Sequence, residues 1–348
     1  MDHNAAVNSR TSTFGGHLHR AARTGLLYFL LQGLAPAAAL SDASFEVPAW
    51  LFPVPVAGTA PAPVGTAGHD SSLLRLRGSE VGYTRSQLKD FFAVPDWHGD
   101  ARQPVPGIVA QGRRPDIYAC GYCHLPNGAG RPENATLAVL PAEYIMQQMR
   151  AFANGQRKAA WAGPSFLPAA LMAKFAGLAS EREFAEAAAY YSSLALGKPR
   201  AVVVEAERVP GTRATAYVYE LIPGARDEPL GTRLIEVPRD FERHELRDAG
   251  LEYVAYVPPG SVERGRRLAL EGDSGMPPCA SCHGPDLRGV ALVPPLAGRS
   301  PTYLLRQLVA FRTRARQAPG GAPMQPVADA LDLGEMIAAS AYAGSLPP

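Results

Sequence analysis

Two short stretches carry the chemistry of this chain. "CGYCH" sets Cys120, Cys123 and His124 within five positions, and "CASCH" does the same with Cys279, Cys282 and His283. Residues three apart share one face of a helical turn, so the two sulfurs stand together and the next residue brings an imidazole alongside. That arrangement suits two thioether bonds to the vinyl groups of a haem, with His124 and His283 as proximal iron ligands. Two rival uses of paired thiols fit less well. A four-cysteine zinc site needs segments from distant parts of the chain to converge, and it leaves the adjacent histidines without a purpose. A thioredoxin-like disulfide belongs after a strand opening a parallel β-α-β unit, and neither motif has that setting. These four are all the cysteines of the chain, so none remains for a disulfide, a catalytic thiolate or a thiolate axial ligand elsewhere.

The elements that must position these groups come as an internal repeat. A shift of 159 superimposes Cys120 on Cys279, His124 on His283, Gly130 on Gly289, Tyr144 on Tyr303, Gln148 on Gln307 and Phe152 on Phe311. Further along, a shift of 152 aligns "AAAYYSSL" with "ASAYAGSL", so the second copy is shorter in one loop. In both copies "PAEYIMQQMRAFANGQR" and "SPTYLLRQLVAFRTRAR" show helical periodicity, and each copy closes on an Ala-rich amphipathic helix. Two small all-α domains are expected, each with a porphyrin as much of its core.

The repeat also sorts the methionines, one of which is expected as the sixth iron ligand of each haem. Met146 and Met149 align with leucines on a helix, and Met336 aligns with Phe184, so all three read as core. Met276 lies three residues before Cys279, too near in chain to reach the opposite haem face. Met172 and Met324 align with each other, each 18 residues before the tyrosine of its closing helix, and are the expected distal ligands. Proximal histidines need an acceptor for their second nitrogen. Pro294 offers a proline-stiffened carbonyl in copy two; copy one has Ala135 there, which predicts a looser haem 1 proximal side. His69, His98 and His244 have no repeat equivalents and read as surface or turn residues, and Trp97 and Trp161 as packing. Arg157, Lys158, Arg312, Arg314 and Arg316 read as a solvated helix face or as contacts to propionates or an acidic partner.

Five segments follow: a secretory signal at 1–39, a Pro/Ala-rich arm and pre-domain segment at 40–104, haem domain one at 105–198, a β-rich insertion at 199–258 and haem domain two at 259–348. The signal rests on Arg10, Arg20 and Arg23 ahead of "GLLYFLLQGLAPAAALSDAS", an apolar run of about 15 residues, shorter than a spanning helix. An uncleaved anchor is the alternative. The insertion is read from "AVVVEAERV", "TAYVYELI", "TRLIEVP" and "LEYVAYVPP" as a small antiparallel sheet. The formal charge of +2 for 348 residues lies in the signal, with three Arg against one Asp, so the rest is near neutral. Nothing in that balance calls for nucleic acid or an anionic membrane.

With CxxCH, then "PPLAGRSPTYLLRQLVAFR", a ligand Met and "MIAASAYAGSL", the sequence resembles class I cytochromes c of the two-domain, dihaem kind. The likeness runs throughout roughly 260–348 and holds over 105–197 except at "NATLAVLPAEY". It implies a mainly α fold of two haem domains and a periplasmic one-electron carrier serving oxidases, reductases or dehydrogenases. It implies two haem c groups on Cys120, Cys123, Cys279 and Cys282, and His/Met iron through His124, Met172, His283 and Met324. The arm and the insertion depart from that family, whose domains are joined by a short linker and pack with propionate edges facing. The expected function is single-electron transfer without catalysis. The alternatives are a non-catalytic cytochrome subunit of a periplasmic dehydrogenase and a dihaem peroxidase; equivalent methionines argue against the latter, which has non-equivalent haems.

Overall fold

Ser180 and Glu183 close a reciprocal capping box: Ser180 Oγ accepts from the Glu183 amide at 3.3 Å, and the Glu183 carboxylate accepts from the Ser180 amide at 2.7 Å. Asp332 and Glu335 repeat the device 152 positions later, at 2.7 and 2.9 Å. Each box satisfies amides that a helix start leaves without partners, so both copies of the closing helix begin at the same place in the repeat.

The computed structural model describes residues 45–54, 72–99, 103–161, 167–215, 217–273 and 275–348. The expected signal at 1–39 and most of the Pro-rich run fall outside them. Before the first motif come a hairpin of β1 (Leu74–Arg75) and β2 (Gly82–Tyr83) and a short helix α1 (Arg85–Lys89). Domain one follows with α2 (Gly107–Ala110), α3 (Cys120–His124), α4 (Ala142–Ala153), α5 (Leu167–Leu178) and α6 (Glu181–Ser192).

The insertion holds β3 (Ala201–Glu205), β4 (Arg208–Val209), β5 (Thr212–Ala214), β6 (Tyr219–Leu221), β7 (Glu228–Pro229), β8 (Ile235–Pro238), α7 (Phe241–Glu245) and β9 (Tyr253–Val257). Domain two has α8 (Ser261–Leu270), α9 (Ala280–His283), α10 (Pro301–Arg312), α11 (Met324–Ala330) and α12 (Leu333–Ser345). The bounds of α4 and α10 stand 159 apart at both ends, so the duplication is structural as well as sequential.

The insertion differs from the antiparallel sheet its sequence suggests. Its main sheet runs β3-β9-β8, with β9 parallel to β3 and antiparallel to β8. Purely antiparallel pairing is confined to the small ladders β4/β7 and β5/β6. A parallel pair needs a crossover of a dozen or more residues, and the chain from 206 to 252 supplies one. Composition reports strand content but not which strands meet.

Part of the arm is ordered against domain two. Leu51 and Phe52 are buried in the main core of domain two beside Leu305, Val309, Phe311 and Met336. Phe52 stacks on Trp161, with ring centroids 6.1 Å apart. Residues 72–99 are anchored by Trp97, which is buried and donates through Nε1 to the Leu246 carbonyl of the insertion at 2.7 Å. In domain two, α8 and α12 cross at Gly265, where any Cβ would lie 2.0 Å from the Ala338 carbonyl oxygen.

Candidate haem centres

Each CxxCH histidine is held by the loop that follows it. His124 Nδ1 lies 2.8 Å from the Ala135 carbonyl oxygen, and His283 Nδ1 lies 2.8 Å from that of Pro294. A carbonyl only accepts, so Nδ1 carries the proton in both rings and Nε2 keeps its lone pair for a metal. Two glycines allow that closure. Gly130 has φ +67° and its Cβ position is 2.6 Å from the Ala135 carbonyl; its repeat mate Gly289 has φ +83° and stands 2.7 Å from the Val293 carbonyl. A side chain at either place would push away the strand of loop that bears the acceptor. The equal distances differ from the looser side expected of Ala135: the glycine turn, common to both copies, sets this bond, and the proline does not.

Burial pulls both imidazoles below their usual pKa, which favours the neutral ring a metal needs, while the bonds to Ala135 and Pro294 oppose it in part. No disulfide joins any of the four cysteines. Burial pushes Cys120 up to about 12 and raises Cys123 and Cys279. Protonated thiols are the form that adds across a vinyl group with no net gain or loss of electrons.

The two methionines occupy equivalent places. Met172 on α5 packs against a cluster containing Phe152 and Phe184, with Met146 and Met149 beside it. Met324, at the start of α11, packs against the cluster containing Phe311 and Met336. Phe152 and Phe311 are repeat mates, as are Phe184 and Met336, so each methionine touches the same face of its domain.

Between the domains lies a feature that single motifs do not reveal. Arg157 donates to Gln148 and Gln307 at 2.9 and 3.0 Å and to the Tyr303 hydroxyl at 2.9 Å. Arg316 donates to Gln307 and Gln148 at 3.2 and 2.9 Å and to the Tyr144 hydroxyl at 2.6 Å. The backbone follows the same exchange: Lys158 N donates to Ala315 O, and Gln317 N to Gln156 O. Arg299, also buried, reaches from domain two to the Thr136 and Ala138 carbonyls of domain one, and burial pulls its pKa down to about 10.

Arg157, Arg299 and Arg316 are thus buried cations, and among the described residues their acceptors are neutral oxygens. Buried charge without a counter-charge is costly, so this cluster fits an acidic group brought in from outside the polypeptide. A porphyrin bearing carboxylates, tethered at the neighbouring CxxCH turns, meets that requirement. Free thiol pairs, oriented imidazoles and buried guanidiniums all fit the same group.

Several residues stand where their sequence context did not place them. His244 is 2% exposed, far from a surface residue, with Nδ1 3.0 Å from the Tyr253 hydroxyl and Nε2 against the Arg131 guanidinium. His98 pairs with Asp248 at 2.8 Å, tying the arm to the insertion. His69 lies outside the described residues. Of the basic residues expected on one solvated face, Arg312 and Arg314 pair with Asp329, while Arg157 and Arg316 are buried in the clasp. Its signal was present in the sequence: Tyr144/Tyr303, Gln148/Gln307 and Arg157/Arg316 all recur at one shift.

No family model matches the sequence. Among curated proteins, the chain is 26% identical over 207 residues to a thiosulfate dehydrogenase electron acceptor of Thiomonas intermedia, covering 58% of this chain and 66% of the relative. It is 31% identical over 134 residues to cytochrome c4 of Azotobacter vinelandii, covering 34% of this chain and 63% of the relative. It therefore matches just under two thirds of either relative's length. It is 35% identical over 78 residues to cytochrome c-554(548) of Halomonas halodenitrificans, which takes in 22% of this chain and 94% of that protein. Nearly the whole of a small cytochrome is thus matched within a chain that carries the anchor motif twice on a duplicated helical frame, and the chain belongs to the class I c-type cytochromes, in their two-domain, dihaem form.

Proposed function

We propose that the protein carries single electrons between periplasmic redox partners on two covalently bound His/Met haems. In this reading Cys120, Cys123, Cys279 and Cys282 hold the thioethers, His124 and His283 the proximal side of each iron, and Met172 and Met324 the distal side. The haems supply a reversible one-electron couple. The polypeptide orients the imidazoles through Ala135 and Pro294, surrounds the porphyrins with apolar residues, and offers buried guanidiniums to their carboxylates.

The observation that carries the reading is the equivalence of the two centres: the same histidine clamp, the same glycine turn and a methionine in the same place. An enzyme that reacts at one iron needs the two centres to differ, whereas a carrier needs both coordination spheres filled. Redox titration of the wild type beside Met172→Ala and Met324→Ala tests it. Two transitions are expected, each lowered by its own substitution, because thioether ligation raises the potential. A substitution that moves neither transition removes that methionine, and ready binding of carbon monoxide by the reduced protein at native pH sinks the carrier reading.

A second reading makes the protein the electron-accepting subunit of a periplasmic dehydrogenase. It is supported by the Thiomonas relative, itself described as a thiosulfate dehydrogenase electron acceptor. Co-purification from the native host separates the two: a stable dehydrogenase complex favours the subunit, and a free protein favours the shuttle. Among the described residues no helix is long and apolar enough to cross a membrane.

A further inference from the structure

The two methionine-bearing helices are fastened by different parts of the chain. Copy one has the longer loop between α4 and its methionine, and copy two the shorter. In copy two the fastening is internal: Arg314, just beyond α10, pairs with Asp329 of α11 at 2.6 Å. In copy one the far end of α5 is also held internally, where Arg113 donates to the Leu178 carbonyl at 2.8 Å. The entrance of α5, little more than one turn before Met172, takes its hold from outside domain one.

Two side chains supply that hold. Trp161, on the approach to α5, packs with Ala160 against the main core of domain two. Its ring stacks on Phe52 of the arm, with centroids 6.1 Å apart and planes at 12°. Tyr217 of the insertion reaches the first residue of α5: burial raises its hydroxyl pKa, and a hydrogen bond with the Leu167 backbone opposes that rise. Both holds lead back to one residue of α10. Arg306 is buried, lies 5.2 Å from the Phe52 ring centroid, and donates to the Leu51 carbonyl at 2.9 Å and the Tyr217 carbonyl at 3.3 Å. A third bond runs to the Pro132 carbonyl of domain one at 2.9 Å. The rigid fork of one guanidinium thus gathers arm, insertion and domain one on a single helix of domain two.

We infer that Trp161 and Tyr217 are positioning residues for Met172: rooted on α10 through Phe52 and Arg306, they fix the entrance of α5 and so keep the thioether at the iron of haem 1. This rests on the His/Met reading above. A thioether sulfur carries no charge, so its bond to iron depends on the surrounding structure keeping it in place. The two segments that depart from the family pattern thereby acquire a task at haem 1, and domain two exerts it on domain one.

The test is a spectroscopic redox titration of the holoprotein, with carbon monoxide binding measured on its reduced form. Trp161→Ala removes one hold, Tyr217→Phe removes only the hydroxyl of the other, and Trp161→Phe keeps a flat ring against Phe52. The control is Ile337→Ala, which deletes a buried group of α12 from the same domain-two core. Tyr217→Phe is expected to raise the carbon monoxide affinity of haem 1 about two- to tenfold, the effect of one hydrogen bond on the balance between bound and released methionine. Trp161→Ala is expected to raise it about tenfold or more, and Trp161→Phe to recover most of that loss. Both holds, when removed, lower the transition that Met172→Ala lowers and leave the one that Met324→Ala lowers. Unaltered affinity in Trp161→Ala and Tyr217→Phe overturns the inference. So does a shift of the Met324 transition, or an equal shift in Ile337→Ala, since either is the mark of a loosened core and not of a misplaced ligand. If Met172→Ala lowers no transition, the His/Met reading of haem 1 has itself failed, and that is seen before either hold is altered.

Discussion

The Arg157 guanidinium donates to the Tyr303 hydroxyl across the domain boundary at 2.9 Å, and its repeat mate Arg316 returns the bond to Tyr144 at 2.6 Å. Duplicating a domain within one chain makes an interface of the kind a twofold dimer has, in which residue i meets j and the copy of j meets the copy of i. Each arginine is therefore held by the other domain's tyrosine and shared between both glutamines. The network fixes the two domains in one register.

Removing one hydroxyl tests the clasp. Tyr303→Phe and Tyr144→Phe each leave a buried guanidinium short of one acceptor, at a cost of about 1–3 kcal/mol. Urea denaturation of the holoprotein is expected to show losses of the same size for the two, because they are mates. A loss in one and none in the other contradicts a symmetric clasp.

Legibility in the sequence divides along a physical line. The thiol and imidazole spacing is dictated by covalent chemistry, and duplication prints every local choice twice, so the two CxxCH turns and the amphipathic helices can be read from the chain. Arg131, Glu133 and His244 have no such second copy. The contact of Arg131 with His244 joins positions 113 apart, and only a folded insertion brings them together. Leu51 and Phe52 are masked in the same way, as two apolar residues in a Pro-rich run whose partners come from α10 and α12. The parallel pairing of β3 with β9 depends on how the intervening chain returns, which strand composition does not encode.

Acid weakens the cap over domain one through His244. Burial, followed by the charges of Arg131 and Arg247, holds its pKa well below 6.5, and the neutral ring accepts from Arg131 at Nε2 and donates from Nδ1 to Tyr253. Glu133 and Glu245 each approach Nε2 at 4.0 Å without reversing that direction. The unfolded chain takes up a proton near 6.5 and the folded one does not. The contribution is therefore fully present above that pH and is lost as pH falls from 6.5 toward the folded pKa, by up to about 1.4 kcal/mol per unit. Denaturation at pH 7.5 and 5.5 is expected to show a loss on acidification that is about 1 kcal/mol smaller in His244→Gln. An equal loss in variant and wild type removes His244 as the cause.

The arm holds domain two together through two side chains. Leu51→Ala or Phe52→Ala deletes a fully buried group from the core that also contains Leu305, Val309 and Met336. Each is expected to cost about 2–5 kcal/mol, because neither α10 nor α12 can move inward to fill the space. Thermal denaturation of the holoprotein checks this, and a melting point within a degree or two of the wild type would show the arm to be a dispensable strap.

Gly107 opens α2 and Gly265 lies inside α8, the first helices of their respective domains, and an added methyl is expected to act oppositely at the two. In a helix interior, alanine replacing glycine gains up to about 1 kcal/mol. At Gly107 nothing lies within 4 Å of the new Cβ, so Gly107→Ala is expected to be neutral or stabilising by that amount. At Gly265 the methyl meets the Ala338 carbonyl oxygen at 2.0 Å and Tyr342 Cβ at 2.7 Å, and the first of these is backbone that cannot rotate away. Helices α8 and α12 must separate, and overpacking of this kind costs about 3 kcal/mol or more, which outweighs the propensity gain. Melting curves of the two variants beside the wild type are expected to move in opposite directions, with Gly265→Ala the one that falls. If both rise, the close crossing of α8 and α12 is not what holds domain two.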